Sequence, residues 1–205
     1  MDEFKKLSKK ALNFVFLVAS PMMIYFMLFA KQGIYFLSGD AFGPAVVPMQ
    51  LIMPTLLLIG ITNILGIQIL VPLGYEKAVL VSEIVGAIID LVVNALLIPH
   101  YQSSGAAIGT LLAEFAVMVV QCIALKNEIK TAFSDIKYLK IILAIILASL
   151  ASFWVTALNL HVFITLVISA ILFFGVYGLV LIITKEKLVI EILTQIFNKL
   201  KHRSA

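Results

Sequence analysis

The sequence predicts an all-α, polytopic membrane protein with six transmembrane helices. Hydrophobic residues make up 62% of the 205-residue chain and mean hydropathy is +1.13, more apolar side chain than a soluble domain of this size can hide from water. The apolar residues fall into six stretches of about 20, the length an α-helix needs to cross a ~30 Å hydrocarbon layer. Fourteen of the fifteen Lys and Arg residues lie on alternate connections between those stretches.

The predicted spans are Ala11–Ala30, Pro48–Pro72, Ala78–Pro99, Ser104–Leu125, Leu139–Leu158 and His161–Thr184. Period-two alternation is absent, so strands are excluded and helices remain as the way to satisfy every backbone group in lipid. Two segments follow: residues 1–125 with four spans, and residues 126–205 with two spans and a tail.

Cations orient the spans. Lys5, Lys6, Lys9 and Lys10 precede the first, Lys77 lies on the second connection, Lys126, Lys130, Lys137 and Lys140 on the fourth, and Lys185, Lys187, Lys199, Lys201 and Arg203 follow the last. Only Lys31 falls on the other side, where snorkelling explains it. The positive-inside rule then predicts that both termini are cytoplasmic. The net charge of +4 reports on topology and an anionic inner leaflet, and nucleic acid is not an expected partner.

The first span is too long for a signal-peptide core and no small-residue cleavage pattern follows it, so it reads as retained. Cys122 is the single cysteine, which excludes an internal disulfide. From Lys187 to Lys201, Leu188, Val189, Ile192, Leu193, Ile196, Phe197 and Leu200 share one face, which predicts a helix lying in the membrane interface. Phe4, Leu7 and Ala11 set against lysines form a shorter version at the N-terminus.

Interior prolines remove a helix hydrogen bond and kink the chain. Pro21 and Pro54 are therefore candidate hinges, and Gly60 and Gly66, which flank Asn63, weaken the second span near its centre. Asn63 and Gln68 read most simply as interhelical hydrogen-bonding groups. Gly105, Gly109 and Ala113 form a small-residue stripe at four-residue spacing, which lets a second backbone approach closely. The third span is the expected partner.

Ionisable groups within the spans are the candidate site. Glu83, Asp90 and Asn94 lie along one line of the third span, and Thr110, Glu114 and Gln121 along one line of the fourth. With the turn centred between Tyr101 and Gln102, residues of the two spans whose numbers add to about 203 share a depth. Asp90 then pairs with Glu114 and Asn94 with Thr110 near the midplane, and axes about 8–10 Å apart would let two carboxyls share a proton. A carboxylate at that depth costs roughly 2.5–3.5 kcal/mol on insertion scales, so it faces a bundle interior or a wet cavity. The functional reading is a protonation or cation-coupling site; the alternative is protonated, hydrogen-bonded packing groups with separate neighbours. Glu83 sits nearer the cytoplasmic end and reads as a vestibule residue.

Catalysis is not expected. His100, His161 and His202 lie on outer connections and in the tail, and no HExxH, GxSxG or Walker pattern is present. No metal or cofactor is implied.

The run Gly66, Ile67, Gln68, Ile69, Leu70, Val71, Pro72, Leu73, Gly74, followed by Glu76 and Lys77, resembles a signature of Wzx-type polysaccharide and O-antigen flippases. The resemblance continues through Asn94, Leu96, Leu97, Ile98 and Pro99 to Gly105, Ala106, Ala107, Ile108, Gly109, Thr110 and Glu114, and takes in Phe42 on the approach to Pro48. It covers Phe4 to Leu125, and the last two spans only in hydropathy. Such flippases belong to the MOP exporter superfamily, whose fold is a MATE-like, two-lobed bundle of 12 to 14 helices around a cavity. The resemblance implies translocation of undecaprenyl-diphosphate-linked oligosaccharide across the bacterial cytoplasmic membrane. It also implies that this chain corresponds to the C-terminal part of such a transporter, with the missing N-terminal lobe or polysaccharide assembly proteins as partners beside membrane lipids. Relatives commonly carry Asn at the position of Asp90. The competing reading is a non-transporting membrane scaffold or a truncated remnant.

Overall fold

The computed structural model describes residues 2–126, 137–158 and 160–203, with the side chains of 196–203 and of Asp2 and Lys5 left aside. Lys130 lies outside the described residues, as do the side chains of Ile196, Phe197, Lys199, Leu200, Lys201, His202 and Arg203. Among the described residues all regular structure is helical. The helices are α1 (Asp2–Leu28), α2 (Ala30–Ser38), α3 (Val46–Ile52), α4 (Thr55–Asn63), α5 (Glu76–Ala124), α6 (Tyr138–Phe153), α7 (Val162–Ile183) and α8 (Lys187–Arg203). A 3-10 segment, Asp40–Ala45, leads into α3; a π-helical turn, Ile64–Leu70, continues α4; and a second 3-10 segment, Trp154–Leu158, ends α6.

Five segments are long and apolar enough to cross a membrane: Lys6–Leu28, Asp40–Leu70, Glu76–Ala124, Tyr138–Leu158 and Val162–Ile183. Together they mark a multi-pass membrane protein. Leu91, Leu139, Leu150, Ile171 and Ile183 project outward, which is costly in water and neutral in lipid.

α5 is not one rod. Pro99 lies in it, and Gln102 departs from helical geometry with φ +49° and ψ −126°, so the chain reverses there. The arms 76–101 and 103–124 run back along each other: Ser82 meets Gln121, Gly86 meets Val117 and Asn94 meets Gly109. Each of these pairs adds to 203, the depth relation expected from a turn at Tyr101 and Gln102.

The first expected span differs at its C-terminal end. α1 starts at Asp2, absorbing the N-terminal arm, and breaks at Phe29, after which α2 carries the chain to Ser38. Beside the break, the Met27 carbonyl accepts from Gln50 Nε2 at 3.0 Å. Lys31 lies with its Nζ 5.5 Å from the centre of the Tyr35 ring.

Helix α1 joins two packing centres. Leu12 packs with Ile61, Ile64, Leu65, Ile69 and Leu70 of α4 and the π-turn, and with Leu125 and Ile141. Nearer its C-terminal end, Tyr25, with Phe29 at the break that follows, packs with Ala144 and Ala148 of α6 and with Phe173, Tyr177 and Leu181 of α7. Lipid tails are as apolar as leucine, so close approach and interhelical hydrogen bonds hold such contacts. Ala144, Ala148 and Ser152, all fully buried on α6, supply the close approach.

Pro21 lacks the N–H that would bond the Leu17 carbonyl. Tyr177 of α7 replaces it, its hydroxyl donating to Leu17 O at 2.8 Å. In the opposite direction, Tyr25 of α1 donates to Leu166 O of α7 at 2.9 Å and lies 3.2 Å from Ser169 Oγ. α8 is fastened at its start. The buried Glu186 carboxylate accepts from Leu188 N at 2.7 Å, Val189 N at 3.0 Å and Asn13 Nδ2 at 3.3 Å, and Lys10 pairs with Glu191. Lys140 donates to the Thr184 and Lys185 carbonyls at the end of α7.

Candidate functional site

The α5 hairpin carries Glu83, Asp90, Asn94, Thr110, Glu114 and Gln121. Its seam follows small residues four apart, because only they let the arms close. Gly105, Gly109 and Ala113 are all buried in it. A Cβ added to Gly105 would lie 2.6 Å from the Leu97 backbone, and one added to Gly86 would lie 2.5 Å from Val117 Cγ2. The predicted stripe is therefore the inner face of the hairpin.

At the end of the seam farthest from the turn, Ser82 is fully buried and Gln121 is 1% exposed. Gln121 Nε2 donates to Ser82 Oγ at 3.3 Å, and Ser82 donates to Val79 O at 2.6 Å. Gly66 of the π-turn closes the third side, since a Cβ there would stand 2.9 Å from Gln121 Nε2. Gly66 is thus a packing glycine. Gly60 is another, with Val15 Cγ1 2.7 Å from a would-be Cβ. Of the expected hinges, Pro54 stands at the break between α3 and α4 as the residue before Thr55, and Pro21 lies inside α1, where the carbonyl it leaves free is occupied by Tyr177.

Asp90 and Asn94 also face the seam. Asn94 Oδ1 occupies the space that a Gly109 side chain would need, and Asp90 Oδ1 stands 3.4 Å from the same point. Both oxygens are buried and lack a hydrogen-bond partner among the described residues. They are one helical turn apart on one line, so they form a pair of acceptors.

Glu83 and Glu114 turn elsewhere. Each lies one residue beyond a seam residue, Ser82 and Ala113, and a 100° step in two antiparallel helices carries both to the same flank. Thr110, one residue beyond Gly109, follows. Glu83 is exposed, and Thr110 and Glu114 are half-buried. Asp90 and Glu114 share a depth, as the turn arithmetic requires, but differ in rotation. α3, α4 and the π-turn pack on the hairpin.

Sequence reasoning passed over Tyr25, Tyr177 and the stripe of Ala144, Ala148 and Ser152. The stripe carries the same four-residue signal as Gly105 and Gly109; the tyrosines have no local signal, because their acceptors lie 141 and 160 residues away. No family model, curated protein or solved structure matches the chain.

Proposed function

We propose that the chain is one wall of a membrane translocation path, part of a larger or split transporter that moves undecaprenyl-diphosphate-linked oligosaccharide across the bacterial cytoplasmic membrane. The observation that carries the reading is the common flank of Glu83, Thr110 and Glu114 on a hairpin whose seam is otherwise closed by small residues. Two carboxylates on one flank of a membrane hairpin call for water or a polar partner. A translocation path supplies both. The substrate class comes from the resemblance of the Gly66–Lys77 and Asn94–Glu114 runs to Wzx-type flippases, as does the MATE-like, two-lobed frame.

In this reading α5 crosses twice, which makes six crossings with both termini cytoplasmic. Rocking of two bundles requires a second helical body, the role of the missing lobe. Asp90 serves as the proton or cation site: protonated, it gives the Asp90 and Asn94 oxygens the donor they lack.

The test is restoration of surface polysaccharide in a host deleted for its own flippase, with the chain expressed alone and together with the reading frame upstream. Restoration with the upstream segment, lost on Glu114→Gln or Asp90→Leu while both proteins still reach the membrane, supports the proposal. Failure of both expressions supports a scaffold or remnant instead.

A further inference from the structure

Two open recesses, of about 330 and 440 Å³, lie side by side on the bundle and share Met23 of α1 and Leu57 of α4. One runs between α1 and α6 past Phe16, Tyr138 and Ile145; the other runs between α4 and the second arm of α5 past Leu112. They form one apolar groove, floored by α1 and α4 and walled by α6 on one side and the second arm on the other. Its volume is that of a small-ligand site. Bilayer depth and an apolar lining select a hydrocarbon chain as the occupant.

The ends of the groove differ in charge. At one end both walls terminate in a lysine, Lys126 after the second arm and Lys137 before α6, and both are exposed. Lys140 at that end is engaged with the carbonyls of Thr184 and Lys185. At the other end the walls reach Ser103, Ser104 and Trp154 without a Lys or Arg on either, and Lys31, beyond the end of α1 there, lies over the Tyr35 ring. A hydrocarbon chain with an anionic group at one end matches this polarity.

We propose that this groove holds one acyl chain of an anionic phospholipid, with its phosphate between Lys126 and Lys137. The site is independent of the transport reading, since its chemistry is that of a resident lipid and it uses none of the acidic groups of the hairpin.

The full chain is reconstituted into nanodiscs of phosphatidylethanolamine carrying a trace of either phosphatidylglycerol or phosphatidylethanolamine with a diazirine on one acyl chain. After irradiation, adducts are mapped by mass spectrometry. The proposal expects phosphatidylglycerol adducts to be denser along Met23, Leu57 and Ile145 than at the outward-facing Leu150 and Ile171, and denser there than those of the zwitterionic probe. Lys137→Gln is expected to lower that headgroup preference about fivefold. Leu57→Trp fills the groove and removes its adducts while those at Ile171 persist; Leu112→Trp does the same from the other wall should the first variant fail to fold. Groove adducts no denser than at Leu150 and Ile171, or equal for the two headgroups, overturn the proposal.

Discussion

Gln121 reaches across the α5 hairpin to Ser82 with its Nε2 3.3 Å from Ser82 Oγ, while its own carbonyl oxygen is buried with no partner among the described residues. The bond and the orphan belong to one side chain, so its two substitutions differ in kind. Ser82→Ala removes the acceptor and leaves a whole buried amide unsatisfied, at an expected loss of about 1–3 kcal/mol. Gln121→Leu removes bond and orphan together and should cost less than Ser82→Ala. Unfolding of the purified variants in mild detergent ranks them; the reverse order refutes the argument.

The Leu17 carbonyl gives a second test. Tyr177→Phe deprives it of its donor and should destabilise the fold by about 0.6–2 kcal/mol, the range of hydrogen bonds between membrane helices. Pro21→Ala restores the missing N–H within α1. In the Pro21→Ala background, Tyr177→Phe should therefore cost less, and the difference is read from a double-mutant cycle. Additive effects would mean that Tyr177 acts by packing alone.

Gly105 and Gly175 should respond in opposite ways. A methyl group at Gly105 meets the rigid Leu97 backbone at 2.6 Å, whereas one at Gly175 meets nothing within 4 Å. Gly105→Ala is expected to cost about 1–3 kcal/mol by overpacking. Gly175→Ala, in a helix interior, should gain about 0.5–1 kcal/mol. Thermal unfolding of both decides.

Gln102 holds φ +49° and ψ −126°, a region glycine enters freely and other residues do not. Gln102→Gly should relieve strain of about 1 kcal/mol and raise the unfolding midpoint. A lowered midpoint would place the turn's stability in the Gln102 side chain.

The start of α8 rests on one carboxylate. Glu186→Ala removes the acceptor for Leu188 N and Val189 N and should cost about 1 kcal/mol, as lost helix caps do. Hydrogen exchange should accelerate at Leu188 and Val189 while the α6 and α7 amides are unchanged. Unchanged exchange at Leu188 would show that packing of Leu188, not Glu186, holds the helix.

Much of this architecture is legible in the amino-acid order because membrane helices write their length and turns locally. Runs of apolar residues, the turn at Tyr101 and Gln102, and the stripe of Gly105, Gly109 and Ala113 are all short-range signals. Depth was also readable, since Asn94 and Gly109 meet where the turn arithmetic puts them. Rotation was not: a one-residue step separates Glu114 from the seam residue Ala113, and spacing alone does not tell which line of an apolar helix will face its partner. The break at Phe29 and the π-turn over Ile64–Leu70 lie beside side chains of other helices, Gln50 at Met27 and Gln121 at Gly66, which nothing nearby in the chain announces.

The bond from Tyr177 to Leu17 also sets a timetable. The two residues are 160 positions apart, so at ordinary elongation rates the ribosome needs roughly 10–30 s to make the second after the first. Throughout that interval α1 holds a carbonyl without its tyrosine donor, which water, lipid headgroups or an insertion factor must shelter. The nascent chain is thus committed to delayed completion: α1 reaches its final bonding only when α7 arrives.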